Sequence, residues 1–189
     1  SINIPEGVTS IGEYAFYNCN GLEPKLLVYD KGIKCYGWIG DKKKCTEVVI
    51  PEGVTSIGAS AFYWCNSLAS IKIPEGVTSI GEYAFYNCSN LTSINIPEGV
   101  TSIGEYAFYN CSGLTSINIP KSVTTIGRET FCKCSNLTSV NIPEGVKSIG
   151  TSAFSGCSRL DVVIDNSKDN VKVGYDAFYG CKSVTWLKE

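Results

Sequence analysis

The chain has 189 residues, a formal net charge of −2 and 43% hydrophobic residues, which is enough to fold around a sizeable core. The near-neutral charge provides no basic field for binding nucleic acid, and no apolar run reaches the roughly 18 residues of a membrane helix. The absence of histidine excludes Ser-His-Asp triads, Cys-His dyads and His-containing zinc sites, so we expect neither an enzyme nor a cofactor.

The chain opens with a motif that returns throughout it. The proline of IPEGVTSIG and its variants is Pro5, Pro51, Pro74, Pro97, Pro120 and Pro143. The last five prolines are spaced by 23 residues, and Pro5 precedes the second by 46, or two periods. Such a period is typical of a solenoid, in which each unit forms one coil and neighbouring coils bury each other's apolar faces. We count about eight units, which predicts a single solenoid domain over residues 1–189.

Residues 22–46 form one degenerate unit of normal total length. Two apolar segments within residues 26–39 flank an Asp-Lys-Gly sequence typical of a tight turn. We predict a β-hairpin that replaces the helical turn of this unit. The segment 41–44, Asp-Lys-Lys-Lys, predicts a solvated turn, with a basic contact for a partner as the alternative.

Each regular unit begins with a short strand. In residues 91–96, Leu91, Ile94 and Ile96 are separated by polar residues, which predicts a strand with these three side chains inward. Pro97 ends the strand because it has no N–H to donate.

The rest of the unit predicts a second extended segment and a compact turn. Residues 100–103 are extended, and Gly104 forms a corner. Residues 107–111 predict one helical turn, because Ala107, Phe108 and Cys111 would share its buried face.

The unit at 161–176 is irregular, because the step from Phe154 to Phe178 is 24 residues. If the period of 23 continued into this unit, Val162, Ile164 and Trp186 would point outward as an apolar patch. Such a patch would be a subunit contact or a face covered by a further coil. The chain begins and ends within strands, so we expect a fragment of a longer protein.

The same irregular unit contains a weak calcium motif. Positions 1, 3, 5 and 12 of an EF-hand-like loop are filled by Asp165, Ser167, Asp169 and Asp176. The glycine at the sixth position is missing and the last ligand is the shorter Asp. A polar loop that absorbs the extra residue is therefore favoured over a metal site.

Residues of one type recur at one position of every unit. The phenylalanine column is Phe16, Phe62, Phe85, Phe108, Phe131, Phe154 and Phe178, and the cysteine column is Cys19, Cys65, Cys88, Cys111, Cys134, Cys157 and Cys181. A column stacks like on like, so the core is expected to consist of ladders that run from coil to coil.

The unit LTSINIPEGVTSIGEYAFYNC resembles the leucine-rich repeat of the BspA or Treponema type, and the resemblance covers nearly the whole chain. The resemblance implies a right-handed, curved, mostly β solenoid with the LTSINI strands on its concave sheet. It also implies an extracellular or cell-surface location. Several relatives are adhesins, which implies a protein partner such as host extracellular matrix or the surface of another microbe.

Ten cysteines in an exported chain would suggest disulfides. Equivalent Cβ atoms of stacked coils should lie about 4.8 Å apart, whereas a disulfide prefers about 3.8 Å. We therefore predict that the column consists of buried free thiols that pack as small hydrophobic side chains. Cys35 and Cys45 lie outside the column and are the one pair that could form a bridge.

Two surfaces are candidates for binding. The outward positions of the LTSINI strands form a small, neutral, polar strip. The second surface is rich in tyrosine, a residue type enriched at recognition surfaces. Its tyrosines are Tyr14, Tyr17, Tyr63, Tyr83, Tyr86, Tyr106, Tyr109 and Tyr179. Alternatively, these rings only stabilise the solenoid by stacking, at about 0.5–1 kcal/mol per pair.

Two functions are therefore compatible with the sequence. The first is a non-enzymatic protein-binding module of an exported surface protein. The second is a structural spacer without a ligand, which the near-identity of the units at 74–119 favours because a specific partner usually needs distinct anchor residues. Avidity across identical coils would still permit binding.

Overall fold

A computed structural model describes residues 2–12, 15–16 and 18–189. The chain winds into a β solenoid of about seven coils, close to the number expected from the repeat. Helix in this part of the chain consists of two single 3₁₀ turns, Lys42–Lys44 and Lys168–Asn170. None of the described helices is long and apolar enough to cross a membrane.

The strands are short because each coil has only two brief extended segments. In chain order they are β1 (Lys25–Tyr29), β2 (Lys34–Ile39), β3 (Glu47–Val49), β4 (Ser56–Ile57), β5 (Ser70–Lys72), β6 (Ser79–Ile80), β7 (Ser93–Ile94), β8 (Ser102–Ile103), β9 (Ser116–Ile117), β10 (Thr125–Ile126), β11 (Ser139–Ile142), β12 (Ser148–Ile149), β13 (Asp161–Ile164), β14 (Lys172–Val173) and β15 (Ser183–Trp186).

The strands form two parallel series, one on each of two faces. The LTSINI segments supply β3, β5, β7, β9, β11, β13 and β15, which we call the long-strand face. The VTSI segments supply β2, β4, β6, β8, β10, β12 and β14. Strands of consecutive coils pair in parallel, as Ser93 with Ser116 and Ser79 with Ser102. The predicted inward positions are confirmed, since Leu91, Ile94 and Ile96 are all buried.

The predicted ladders form the core. The rings from Phe62 to Phe154 are fully buried and stacked, with centroids 5.1–5.3 Å apart. Phe178 continues the stack at 5.9 Å and is half-buried. Phe16 contacts the Tyr36 ring edge-on at 5.2 Å instead of joining the stack, because the degenerate coil has no phenylalanine to continue the column.

The expected helical turn at residues 107–111 is replaced by overlapping β-turns. The N–H groups of Ala107, Tyr109 and Cys111 donate within the coil, to carbonyls three residues earlier. The alternate N–H groups, of Tyr106, Phe108 and Asn110, donate to carbonyls of the next coil at 2.8–3.0 Å. A helical turn would direct these donors within the coil, whereas the overlapping turns use half of them to join coils.

Gly104 forms the predicted corner because two coils approach closely there. A Cβ atom at Gly104 would lie 2.4 Å from the backbone nitrogen of Glu82 in the preceding coil. Only a residue without a side chain permits this spacing.

The degenerate unit contains the predicted hairpin. Strands β1 and β2 pair antiparallel, with an irregularity in register between Leu27 and Val28. Gly37 lies opposite this irregularity with φ +118°, and a Cβ atom there would overlap the carbonyl of Ala61. The N–H of Trp38 donates to the same carbonyl at 2.8 Å, so β2 runs where other coils have their turn.

The irregular unit changes the expected register. Val140 pairs with Val162 and Ile142 with Ile164, a step of 22 residues rather than 23. One residue is missing after Leu160, and Val162 and Ile164 therefore point inward and are fully buried. Trp186 pairs with Ile164 and is half-buried against the core, so the expected outward patch of these three residues is absent.

Candidate partner-binding surface

The tyrosine-rich surface lies on the overlapping turns. Five tyrosines form it in two neighbouring columns, and we call this set the tyrosine wall: Tyr83 and Tyr106 in one column, and Tyr63, Tyr86 and Tyr109 in the other. Tyr14 and Tyr17 lie outside the described residues. Tyr179 is 70% exposed and is separated from Tyr109 by Cys132 and Ser155, which occupy the same column in the intervening coils.

The five rings pack against one another. Within a column, ring centroids lie 4.7–5.0 Å apart and the rings are nearly parallel, with interplanar angles of 5–23°. Between columns, Tyr83 and Tyr86 are 5.8 Å apart, and Tyr106 and Tyr109 are 6.1 Å apart. The rings are all half-buried, because neighbours cover their faces. The stacking that the sequence suggested as one alternative is therefore present.

The tyrosines of the first column occupy an unusual backbone position. Tyr83 and Tyr106 have φ of 54° and 56°, and Asn87 and Asn110 four residues later have φ of 59° and 53°. The overlapping turns need this left-handed conformation at two positions per coil. Asn adopts it readily, whereas for a bulky side chain such as Tyr it is unfavourable, and ring stacking offsets that cost.

Two cations cover the end of the wall. The Arg128 guanidinium lies 5.7 Å from the Tyr106 ring centroid, and the Lys133 ammonium lies 5.1 Å from that of Tyr109. The Tyr106 hydroxyl donates to the Glu129 carboxylate at 3.2 Å. Sequence reasoning missed these residues, although the period of 23 places Arg128 and Lys133 beside the tyrosine columns of the preceding coil.

The long-strand face offers less to a partner. Its outward residues are mostly Ser and Asn, and some of them bond to the protein itself, as Asn118 Nδ2 does to the Glu98 carboxylate at 3.3 Å. At the C-terminal end, Asp161 contacts Lys182 Nζ and Ser183 Oγ at 2.6 Å each. The hydrogen bonds from Lys182 and Ser183 lower the pKa of Asp161.

All ten cysteines are free, as predicted for the column. Cys65, Cys88, Cys111, Cys134 and Cys157 are buried, and the end members Cys19 and Cys181 are half-buried. Their role differs from simple packing. From Cys88 to Cys181, each column thiol donates to the phenylalanine carbonyl of the preceding coil at 3.1–3.4 Å.

The one pair considered for a bridge, Cys35 and Cys45, is also free. Cys35 pairs with Ile57 and takes the place of the isoleucine that ends each VTSI segment. Cys45 takes the place of Leu68 at the start of an LTSINI segment. Both thiols therefore fill ladder positions in the core, where they are buried.

The calcium candidate residues do not converge. Within the part of the chain that the structure describes, no group of three or more His, Cys, Asp or Glu residues could hold a metal ion. Asp165 instead pairs with Lys188 at 3.2 Å. Residues 168–170 form the second 3₁₀ turn, and Ser167 beside them is buried. This loop absorbs the insertion.

Comparisons with known proteins agree with this architecture. A family model described as the BspA type leucine rich repeat region matches residues 1–30 and 31–161 in six copies. A leucine-rich repeat protein from T. pallidum is 30% identical, with a TM-score of 0.66 over 84% of this chain and 85% of that chain. No curated protein matches the chain significantly.

Two further solved structures are similar. A leucine-rich repeat protein from Eubacterium ventriosum is 25% identical over 94% of this chain and 57% of its own, with a TM-score of 0.58. One from Bacteroides ovatus is 24% identical over 98% of this chain and 63% of its own, with a TM-score of 0.53, and shows likeness of fold. The chain spans less than two thirds of each of these proteins.

Proposed function

Because the chain belongs to the BspA-type leucine-rich repeat family, we propose that it is a protein-binding module of an exported bacterial surface protein, with an adhesin-like role. Solenoids of this family are typically non-enzymatic and mediate protein interactions. The proposed partners are host extracellular matrix proteins or the surfaces of other cells. The extracellular location is part of the proposal.

The tyrosine wall is the observation that carries this proposal. Five half-exposed aromatic rings form one continuous surface, and Arg128 and Lys133 extend it at one end. Tyrosine and arginine are among the residue types that contribute most to binding energy at interfaces. Because stacking already fixes the rings, a partner would bind them with little further loss of side-chain entropy.

The test is capture of the purified chain on immobilised fibronectin, fibrinogen and whole mucosal bacteria. The variant replaces Tyr83, Tyr86, Tyr106 and Tyr109 by Ser, and we expect at least a tenfold loss of capture. A matched control replaces Ser93, Asn95, Ser116 and Asn118 by Ala in the same two coils on the long-strand face, and should keep capture.

A second variant separates binding from folding. Replacing the same four tyrosines by Phe keeps ring stacking and removes only the hydroxyls, so it should retain the fold by circular dichroism. Capture that survives the Ser variant would show that the tyrosine wall is not the binding surface. Absence of capture by the unmodified chain at micromolar concentration would favour the spacer function.

A further inference from the structure

A second candidate surface is a groove of about 540 Å³ beside the first 3₁₀ turn. It lies where the degenerate coil meets the coil that follows it. The side chains that define its chemistry are Tyr63 and Trp64 on one side, Asp41 and Lys43 on the other, and Asn20 and Asn66. Its volume is within the range of ligand sites, about 300–1,000 Å³.

Trp64 is the unusual residue of this groove. Its side chain is 47% exposed, and its φ is 60°. The equivalent position in the other coils is Asn, Lys or Gly, as at Asn87, Lys133 and Gly156. A bulky aromatic residue is disfavoured at positive φ, and such outliers cluster at ligand sites. The period of the solenoid therefore does not explain a tryptophan here.

The polar groups of the groove are available to a ligand. In the part of the chain that the structure describes, the carboxamides of Asn20 and Asn66 and the ammonium of Lys43 have no protein partner. Lys42 is committed differently, since its Nζ donates to the Trp38 carbonyl at 2.6 Å. Asp41 uses Oδ1 to accept from the Lys43 N–H at 3.0 Å, which leaves its second oxygen open.

This combination points to one ligand chemistry. We propose that the groove binds an acidic saccharide, with a sugar ring on the exposed face of Trp64, its hydroxyls on Asn20, Asn66 and Asp41, and its carboxylate on Lys43. Sugar rings combine an apolar C–H face with hydroxyls at the edge, which matches an aromatic ring flanked by carboxamides. Three consecutive lysines against one aspartate favour a ligand with negative charge.

Other ligand classes fit the groove less well. An extended peptide would need an unpaired strand edge, but the N–H groups of Trp64 and Lys44 are already bonded, to the carbonyls of Tyr86 and Asp41. A purely apolar ligand would bury the carboxamides and the Lys43 ammonium without partners. This site goes beyond the proposed function and shares only Tyr63 with the tyrosine wall.

The test is a titration of the whole chain with tetragalacturonate and with 3′-sialyllactose, followed by calorimetry and tryptophan fluorescence. Lactose and maltotetraose are the neutral comparisons. We expect saturable binding of at least one acidic sugar, with at least tenfold weaker binding of the neutral ones. Trp64→Asn should weaken binding at least tenfold, and Asn is the residue that the coils at 87 and 110 already have, so the fold should be retained.

The remaining variants assign the roles of the other groups. Lys43→Gln should remove the preference for the acidic sugar, while Asn87→Ala, a control in the next coil, should leave binding unchanged. Absence of binding at 5 mM, or binding that Trp64→Asn leaves intact, would overturn the proposal. Equal competition by a tetraglutamate peptide would also overturn it, because the site would then select charge alone.

The same variants distinguish this site from the tyrosine wall. Trp64→Asn should leave capture on matrix proteins unchanged, and the variant with four tyrosines replaced by Ser should leave sugar binding unchanged. Loss of both activities in both variants would show a folding defect by circular dichroism and would contradict two separate sites.

Discussion

The cysteines are the residues whose role the structure changes most. Cys111 Sγ donates to the Phe85 carbonyl at 3.1 Å, and the same carbonyl accepts the Cys88 N–H at 3.1 Å. Each thiol thus adds a second donor to a buried acceptor of the neighbouring coil. A weak S–H donor satisfies this position with little desolvation, which gives a physical reason for Cys rather than Ala in the column.

Burial of the thiols makes stability depend on pH. Burial raises the pKa of Cys35 and of Cys111 from 9.0 to about 12. Because the folded chain holds these protons more tightly than the unfolded chain, the contribution to stability is complete below pH 9 and is lost as the pH rises toward 12. We expect the free energy of unfolding in urea to fall between pH 7.5 and pH 10.

The matched control for this pH dependence is Cys111→Ala. At pH 10 a thiol with an unfolded pKa near 9 contributes about 1.4 kcal/mol to the loss. The variant should therefore lose less stability over this interval than the unmodified chain, by about that amount. Equal losses in the two proteins would show that Cys111 titrates similarly in the folded and unfolded chains.

At the scale of elements, the corner and the turns set the spacing of the coils. The Gly104 corner brings two backbones together, and the overlapping turns after it send every second N–H to the next coil. Both features need particular backbone conformations rather than a particular burial pattern. The sequence indicated the corner through a repeated glycine, but alternating donors cannot be read from side chains, and a helical turn was the expected result.

Substitution at this corner should be severe. In Gly104→Ala the new Cβ would meet backbone atoms of Gly81 and Glu82 at 2.4–2.7 Å, so the coils must separate. We expect a loss of about 2–4 kcal/mol in urea denaturation. Gly99→Ala in the same coil is the control, because its nearest contacts would be 3.5–3.6 Å. Similar losses for both variants would contradict the close approach.

At the scale of the whole molecule, burial is distributed unevenly along the solenoid. Phe62 to Phe154 lie in coils with neighbours on both sides and are fully buried. No described residue before Leu27 is buried, and Val173 and Tyr179 near the other end are 45% and 70% exposed. In repeat proteins stability is a sum of neighbouring interfaces, so the ends should open before the centre.

Amide hydrogen exchange measures this gradient directly. We expect peptides from coils at 80–150 to exchange at least tenfold more slowly than peptides from residues 2–22 and 175–189. The hairpin β1–β2 should mark the N-terminal boundary of strong protection, because its outer strand covers the edge of the VTSI series. Uniform protection from residue 2 to residue 189 would contradict this distribution.

The period predicted the solenoid, the ladders and the hairpin, because stacking identical coils leaves few alternatives for a column of Phe or Cys. Three features depend on distances between coils and escaped prediction. The register after Leu160 follows from one missing residue, and the cation contacts of Arg128 and Lys133 follow from the offset of neighbouring turns. The groove beside Trp64 exists only because a 3₁₀ turn in one coil faces a turn in the next.

The alternating donors of the turns also determine how the molecule responds to force. With them, hydrogen bonds join neighbouring coils at the turns as well as in both series of strands. These bonds run from coil to coil, so tension between the two ends pulls on them directly, one coil interface at a time. Each coil that detaches frees 23 residues, or about 80 Å of extended chain. The solenoid thus lengthens in small steps under load, as a tether that absorbs a pull without detaching what it holds.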